Sequence, residues 1–327
     1  MSGIESVGHR RVAVLCNPLS GRVHRDRASV GALRAEVGAA AYREASTPDE
    51  VGVALDELAL GRADALALIG GDGTTQAVLT AMHSMMPEEE WPVLIPLSAG
   101  STNMTALDLG GVGTLAAGVA ALRRWRAGGG DQAHRVRRPL LPIERPGQRP
   151  LCGMFFGTAK VAEGVRFFRR RLRGRGSAGE HTSSLSIARV LFSLARGGAS
   201  NRGGYPVSYR VDDGEECHQE AIMGLVSTLH RLLLGMRPYW GREDAPLHFT
   251  LVDRDARALW RSLWRLGSGR PGLRLTRERG YVSHNAHRVE FRFDGPFVVD
   301  GELFEARSAD GPVLLTAPRV VEWMVLT

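Results

Sequence analysis

Residues Gly70-Gly71-Asp72-Gly73-Thr74-Thr75-Gln76 set three glycines around one carboxylate, directly after the apolar run Ala65-Leu66-Ala67-Leu68-Ile69. Glycines at a strand-to-helix turn let the backbone approach a bulky anion, and a helix N-terminus offers it unpaired N–H groups. A carboxylate in the middle of such a loop repels a bare phosphate. Asp72 makes chemical sense if it holds a metal ion that bridges to phosphates, or if it takes a proton from a hydroxyl. A Gly-rich turn with no ligand is the plain alternative.

The elements around this loop are those of a parallel sheet. Val12 to Leu15 is a short buried-strand run that ends at Asn17-Pro18-Leu19-Ser20-Gly21. Helical spacing resumes through Val30, Leu33, Arg34 and Val37. Thr47-Pro48-Asp49-Glu50 combines a Thr cap, Pro at the first helical position and Glu three residues after the cap, and predicts a helix running to about Leu60. A helix through Val78, Leu79 and Met82 follows the Gly loop. Val93-Leu94-Ile95 then leads as a fourth strand into Pro96 to Asn103, and 114–127 is amphipathic. This alternation implies a parallel sheet with helices on both faces. The loops 17–21, 70–75 and 98–103 each follow a strand, so they should converge on one crevice beyond the carboxyl ends.

Gly128-Gly129-Gly130-Asp131-Gln132 breaks the pattern. Beyond it the texture is β-like at 151–156, 206–211, 247–252, 288–293 and 297–299, with Asp-Gly turns at 213–214, 294–295, 300–301 and 310–311. Helical stretches interrupt it, notably 183–196. The expected fold is an α/β N-terminal domain (1–130) with a parallel sheet and a β-rich, sandwich-like domain (131–312). The closing segment, 313–327, is apolar enough to pack back on the first domain.

Composition narrows the function classes. A chain of 327 residues fits two domains, and 43% hydrophobic with 24% charged residues describes a soluble globular protein. The net charge of +7 is compatible with nucleotides or anionic lipid surfaces. Cys16, Cys152 and Cys217 match no metal or disulfide spacing, which points to reduced thiols and a cytoplasmic setting. No apolar run is long enough to cross a bilayer, and the opening Met1-Ser2-Gly3-Ile4-Glu5-Ser6 reads as neither a signal peptide nor a myristoylation site. No recognised nucleic-acid motif is present.

Taken together, Asn17-Pro18-Leu19-Ser20-Gly21, Gly70-Gly71-Asp72-Gly73-Thr74, Pro96 with Gly100-Ser101-Thr102-Asn103, and Asp300-Gly301-Glu302 resemble the diacylglycerol kinase catalytic-domain family, which includes bacterial lipid kinases and sphingosine kinases. The Gly-Gly-Asp-Gly-Thr motif is shared with NAD kinases. The late Asp-Gly-Glu and the β-rich second half favour the lipid-kinase side. The resemblance implies that Asn17, Pro18, Ser20, Gly21, Thr47, residues 70–76 (Gly70, Gly71, Asp72, Gly73 and Thr74 foremost), Gly100, Ser101 and Asn103 contact ATP. Thr47 is equally explained as a helix cap. The third loop departs from the family's Gly-Thr-Gly-Asn-Asp pattern: two extra residues follow Pro96, and Met104 stands where an acidic residue is common.

The resemblance also implies roles for acidic residues. Asp-Gly-Glu occurs twice. Residues 211–215 lie between polar-alternating runs and read as a hairpin turn, whereas Asp300-Gly301-Glu302 has apolar residues on both sides. By the family's pattern Glu302 takes the proton of the acceptor hydroxyl, with Asp300 as helper and Asp72 supporting Mg²⁺. A structural Mg²⁺ in the family is held by an acidic segment before Asp-Gly-Glu. Here that segment is 241–247, where Asp244 is the candidate ligand, although Ala245 and Pro246 replace the usual neighbours and a solvated loop is the alternative. His284-Asn285-Ala286-His287 reads as a strand turn.

Residues 166–175 pair six arginines with Phe167, Phe168 and Leu172, a composition that suits peripheral docking on anionic lipid at the inner face of a membrane or, equally, a solvated helix face. The expected activity is ATP- and Mg²⁺-dependent phosphorylation of a hydroxyl on a diacylglycerol- or sphingoid-like lipid, in phospholipid metabolism, by a chain compatible with a homodimer. The alternatives are a soluble-metabolite kinase of the NAD kinase type, with Asp72 as base, and a nucleotide- or lipid-binding protein without turnover.

Overall fold

A computed structural model describes residues 10–58, 60–111, 113–129, 133–173, 203–257 and 275–327, without the side chains of 168–173. The expected helix at 183–196 and the break at 130–132 lie outside these residues. The chain divides into two compact units, Met1–Arg138 with Val321–Thr327, and Pro139–Val320.

The first unit is built on strands β1 (Val12–Cys16), β2 (Tyr42–Glu44), β3 (Ala65–Gly70), β4 (Val93–Ser98), β5 (Ala133–Pro139) and β17 (Val320–Leu326), in the order β2-β1-β3-β4-β17-β5. Pairing is parallel from β2 through β17. β1 and β3 are buried along their whole length, which is why they read as unbroken apolar runs. Helices α1 (Gly21–Arg25), α2 (Arg27–Val37), α3 (Pro48–Glu57), α4 (Asp72–Met85), α5 (Met104–Leu109) and α6 (Leu115–Arg126) connect them. The capping box expected at Thr47 is present, with both reciprocal bonds. Its helix stops at Glu57, earlier than the apolar spacing predicts, because a separate 3-10 turn takes over at Leu60–Arg62. The terminal strand β17 inserts between β4 and β5, with Trp323 opposite Leu94 and wholly buried. Burying a side chain of this size stabilises by about 2 kcal/mol or more, enough to anchor a terminal strand.

The second unit carries β6 (Leu141–Glu144), β7 (Leu151–Gly153), β8 (Phe155–Ala159), β9 (Tyr205–Val211), β10 (Cys217–Ser227), β11 (Leu247–Asp253), β12 (Tyr281–Ala286), β13 (Arg288–Phe293), β14 (Gly295–Val299), β15 (Glu302–Ala306) and β16 (Val313–Thr316), plus helix α7 (Lys160–Arg173). All eleven strands join one sheet, and every pairing described between them is antiparallel. β8 and β13 stand three strands apart, roughly 14 Å in a flat sheet. The rings of Phe156 on β8 and Phe291 on β13 nevertheless stack at 5.5 Å. The sheet must therefore curl around a shared core, to which Phe249, Phe293 and Phe297 also belong. Cys16 and Cys152 are buried thiols, and burial pushes them up to about 11 and about 12, so neither is a ready nucleophile or metal ligand.

Candidate functional site

In the first unit, β2, β1, β3 and β4 are consecutive neighbours, and the segments that follow them all leave from the same carboxyl edge. The chain leaves β1 toward β2 and returns to the other side of β1 for β3. The switch of direction falls between β1 and β3, the place where an open parallel sheet leaves a ligand crevice. Asn17 bridges that point. Its N–H donates to the Ile69 carbonyl at 2.8 Å and its Nδ2 to Thr74 Oγ1 at 3.0 Å, while its Oδ1 accepts the Leu19 N–H at 2.9 Å. Pro18 and the exposed Leu19 form the tip of this loop, and Ser20 and Gly21 begin α1.

The expected loop 70–75 is in fact a single linking residue. β3 ends at Gly70 and α4 begins at Asp72, with Gly71 as an N-cap that has no side chain to offer. The first-turn N–H groups of α4, including those of Gly73 and Thr74, therefore open at the switch point. Two glycines are dictated by crowding. A Cβ on Gly70 would lie 2.5 Å from Thr74 Cβ, and one on Gly100 would lie 2.5 Å from the Gly71 Cα. The loops after β3 and β4 thus touch backbone to backbone. Thr75, buried like Thr74, lines a small cavity with Gly71, Asp72 and Asn103, while the buried Gln76 gives its amide to Thr80 at 2.9 Å.

Asp72 is occupied. Its Oδ2 accepts the Met104 N–H at 2.9 Å and its Oδ1 accepts the Thr105 N–H at 3.0 Å. These are the first two residues of α5, whose own N-cap, Asn103, uses its side chain elsewhere. Asn103, at φ 51°, accepts from Gly100 N–H at 2.9 Å and donates to Gly100 O at 2.7 Å. Asp72 therefore caps α5 from a different element. Burial pushes its carboxyl upward, and the two N–H donors oppose that shift. A carboxylate has about four lone-pair sites, so beside these two donors Asp72 would still have sites to offer a Mg²⁺. Met104 contributes its backbone to this arrangement and buries its side chain, so the bond to Asp72 does not depend on the residue type there.

Thr47 caps α3 beyond the end of β2 and is exposed, with its hydroxyl accepting the Glu50 N–H at 3.3 Å. Ser101 is exposed beside Gly100. One residue missed by sequence reasoning is Arg22. Its N–H donates to Ala99 O at 3.1 Å, and its Nη1 donates to Gly113 O at 2.7 Å and Ser98 O at 3.4 Å. It ties the loop after β1 to the loop after β4 and brings a positive charge to them. A cation immediately after the Ser20-Gly21 pair was the signal available in the sequence.

In the second unit, Val299 pairs with Glu302, so Asp300-Gly301 is a two-residue hairpin turn with φ of 46° and 89°, the conformation favoured by Asp-Gly. Asp300 is 3% exposed and its Oδ2 accepts the Met154 N–H at 2.9 Å. A Cβ on Gly153 would lie 2.5 Å from that oxygen. Asp300 thus seats the turn, and Glu302 begins β15 half-buried. The other Asp-Gly-Glu forms the β9–β10 turn, where Asp212 accepts the N–H groups of His287 and Arg288 and Glu215 is exposed.

Segment 241–247 offers no cation cage. Glu243, rather than Asp244, is engaged, with His284 Nδ1 at 2.7 Å and the Asn285 N–H at 2.8 Å, while Asp244 is exposed. Among the described residues no three acidic, His or Cys groups cluster as metal ligands. The expected assignment of Asp244 to a structural Mg²⁺ does not fit this donor set. His287 is the bend between β12 and β13. On α7, Arg166 pairs with Glu305 at 3.4 Å and Phe167 is 51% exposed. The side chains of 168–173 and residues 174–175 of the basic run lie outside the described set. Among the described residues no helix is long and apolar enough to cross a membrane.

The first unit thus presents a parallel-sheet crevice with a glycine-capped helix and a carboxylate beside it. Residues 11–131 match the sequence model of the diacylglycerol kinase catalytic domain. The sequence matches no curated protein. A structure from Bacillus anthracis str. Sterne, provisionally assigned as a diacylglycerol kinase, aligns with a TM-score of 0.66 at 15% identity, over 100% of this chain and 98% of that one. A second from the same organism, described as a diacylglycerol kinase, aligns at 0.60 and 14%, over 97% of each chain. At such identities the likeness is one of fold.

Proposed function

We propose that this protein transfers the γ-phosphoryl group of Mg-ATP to a hydroxyl of a diacylglycerol- or sphingoid-like lipid. The observation that carries this reading is the meeting of Asn17, Gly71 to Thr74 and Gly100 to Asn103 at one switch point. In this reading the triphosphate lies against the N–H groups at the start of α4 and the loop after β1. Ser20, Thr74 and Ser101 supply hydroxyls, and Arg22 offsets the phosphate charge. Asp72 would hold Mg²⁺, which would supply charge neutralisation at the phosphates. Glu302 accepts the proton of the attacking hydroxyl, and Asp300 fixes the turn that presents it. Catalysis then rests on positioning and charge neutralisation rather than on a covalent intermediate.

The test is incubation of the purified protein with γ-labelled ATP, Mg²⁺ and a panel of lipid and soluble hydroxyl acceptors. Label in organic-phase products supports the reading. Label only in aqueous products replaces it with a soluble-metabolite kinase, and tight ATP binding with no product in any arm replaces it with a binding protein. Peripheral docking through Arg166–Arg175 belongs to the same proposal. Changing Arg169, Arg170 and Arg171 to Glu should abolish sedimentation with anionic vesicles and leave ATP affinity unchanged. Vesicle binding that survives these changes would place the docking surface elsewhere.

A further inference from the structure

Among the described residues β12 pairs only with β11, which leaves an outer strand edge that must be covered. Segment 240–243 covers it with side-chain and loop groups instead of a strand. The Trp240 N–H donates to Ser283 Oγ at 3.1 Å. Glu243 Oε2 accepts the N–H groups of Asn285 and Arg242, both at 2.8 Å, and its Oε1 meets His284 Nδ1 at 2.7 Å. Asn285 completes the clamp. Its Nδ2 donates to the Glu243 carbonyl at 2.8 Å, and its Oδ1 pairs with His248 Nδ1 on β11, also at 2.8 Å. The fit is so close that a Cβ on Gly241 would lie 2.3 Å from the Asn285 nitrogen.

We infer that Glu243 does, in this chain, the work that the family resemblance assigns to a structural divalent ion: it locks segment 240–245 onto the sheet with protein groups alone. A hard cation takes about six oxygen ligands from carboxylates, backbone carbonyls and water. Glu243 already meets three donors, the Asn285 and Arg242 N–H groups on Oε2 and His284 Nδ1 on Oε1, which fills three of the roughly four lone-pair sites of a carboxylate. Asp244 is exposed, and Ala245 and Pro246 add only backbone carbonyls beside it. The lock is independent of the phosphoryl-transfer reading.

Hydrogen exchange without nucleotide, in excess Mg²⁺ and in excess EDTA, tests it locally. Peptides covering 238–247 and 281–287 should exchange at the same rate in both conditions. Glu243→Ala should exchange about tenfold faster there in both, as the loss of one or two hydrogen bonds implies, with the rest of the unit unchanged. If that variant fails to fold, Glu243→Gln, which keeps one acceptor oxygen, should show a smaller increase at the same peptides. Slower exchange at these peptides in Mg²⁺ than in EDTA, or unchanged exchange in the Glu243 variants, would overturn the inference.

Discussion

Asp108 and Arg138 meet at 2.9 Å with their side chains 1% and 13% exposed, an ion pair that fastens the last turn of α5 to the end of β5. The first turn of the same helix is held by Asp72. α5 is therefore clamped at both ends by charged groups from other elements. Breaking a buried pair by removing one partner costs about 3–5 kcal/mol, because the other charge is left desolvated. Asp108→Ala should lose stability of that order in chemical denaturation, and Asp108→Leu combined with Arg138→Met should lose clearly less. Equal losses would mean that packing, not charge, holds α5.

Asp72→Asn leaves one oxygen to accept an N–H but turns an amide N–H₂ toward the other. We expect phosphoryl transfer to fall by at least about a hundredfold, from loss of the charge that holds the metal. Amide exchange across 104–109 should also rise. Near-normal turnover would take Asp72 out of the mechanism.

The two Asp-Gly-Glu turns are distinguished by Glu302→Gln and Glu215→Gln. The first should abolish transfer while ATP affinity, read by calorimetry, stays nearly unchanged, since a general base acts on the acceptor. The second should be silent. The reverse result would assign the proton acceptor to the wrong hairpin.

Gly100→Ala introduces a methyl group 2.5 Å from the Gly71 Cα, where backbone rather than a flexible side chain must yield. Overpacking of this kind costs about 1–3 kcal/mol. ATP affinity should fall as well, because the displaced loop carries Ser101 and Asn103. An unchanged melting temperature and unchanged affinity would show that the two loops part at no cost.

The Glu243 carboxyl is lowered from its ordinary 4.5 to about 2, against the cost of its burial, by the Asn285 N–H and by His284. A carboxylate with a depressed folded-state pKa contributes stability that is fully present above about 4.5 and is lost as pH falls toward 2. Wild type should therefore lose more stability across that window than Glu243→Gln, as followed by denaturant unfolding against pH. The side chain is 47% exposed, so solvent screening keeps the difference small. Parallel pH profiles for the two proteins would contradict the assignment.

The sequence by itself determined the local features of the fold. Apolar runs at 12–15, 65–69 and 93–95 are strands because a parallel sheet buried on both faces demands unbroken hydrophobicity. Thr47 to Glu50 carries its capping box within four residues, and the Asp300-Gly301 turn needs only its own φ preferences. The three strand-following loops were legible for the same reason, and with them the candidate residues from Asn17 to Asn103. β10 escaped notice because its first half, Cys217-His218-Gln219-Glu220, is largely polar while its second half is buried among neighbours on both sides. Contacts between distant residues were left to the tertiary structure. Asp72 finds its N–H partners 32 and 33 residues away, Gly71 meets Gly100, and β17 slots beside β4. No local propensity encodes such pairings. They follow from how the assembled sheet brings loop ends together, and they turn Asp72 from a lone carboxylate in a glycine loop into the cap of another helix.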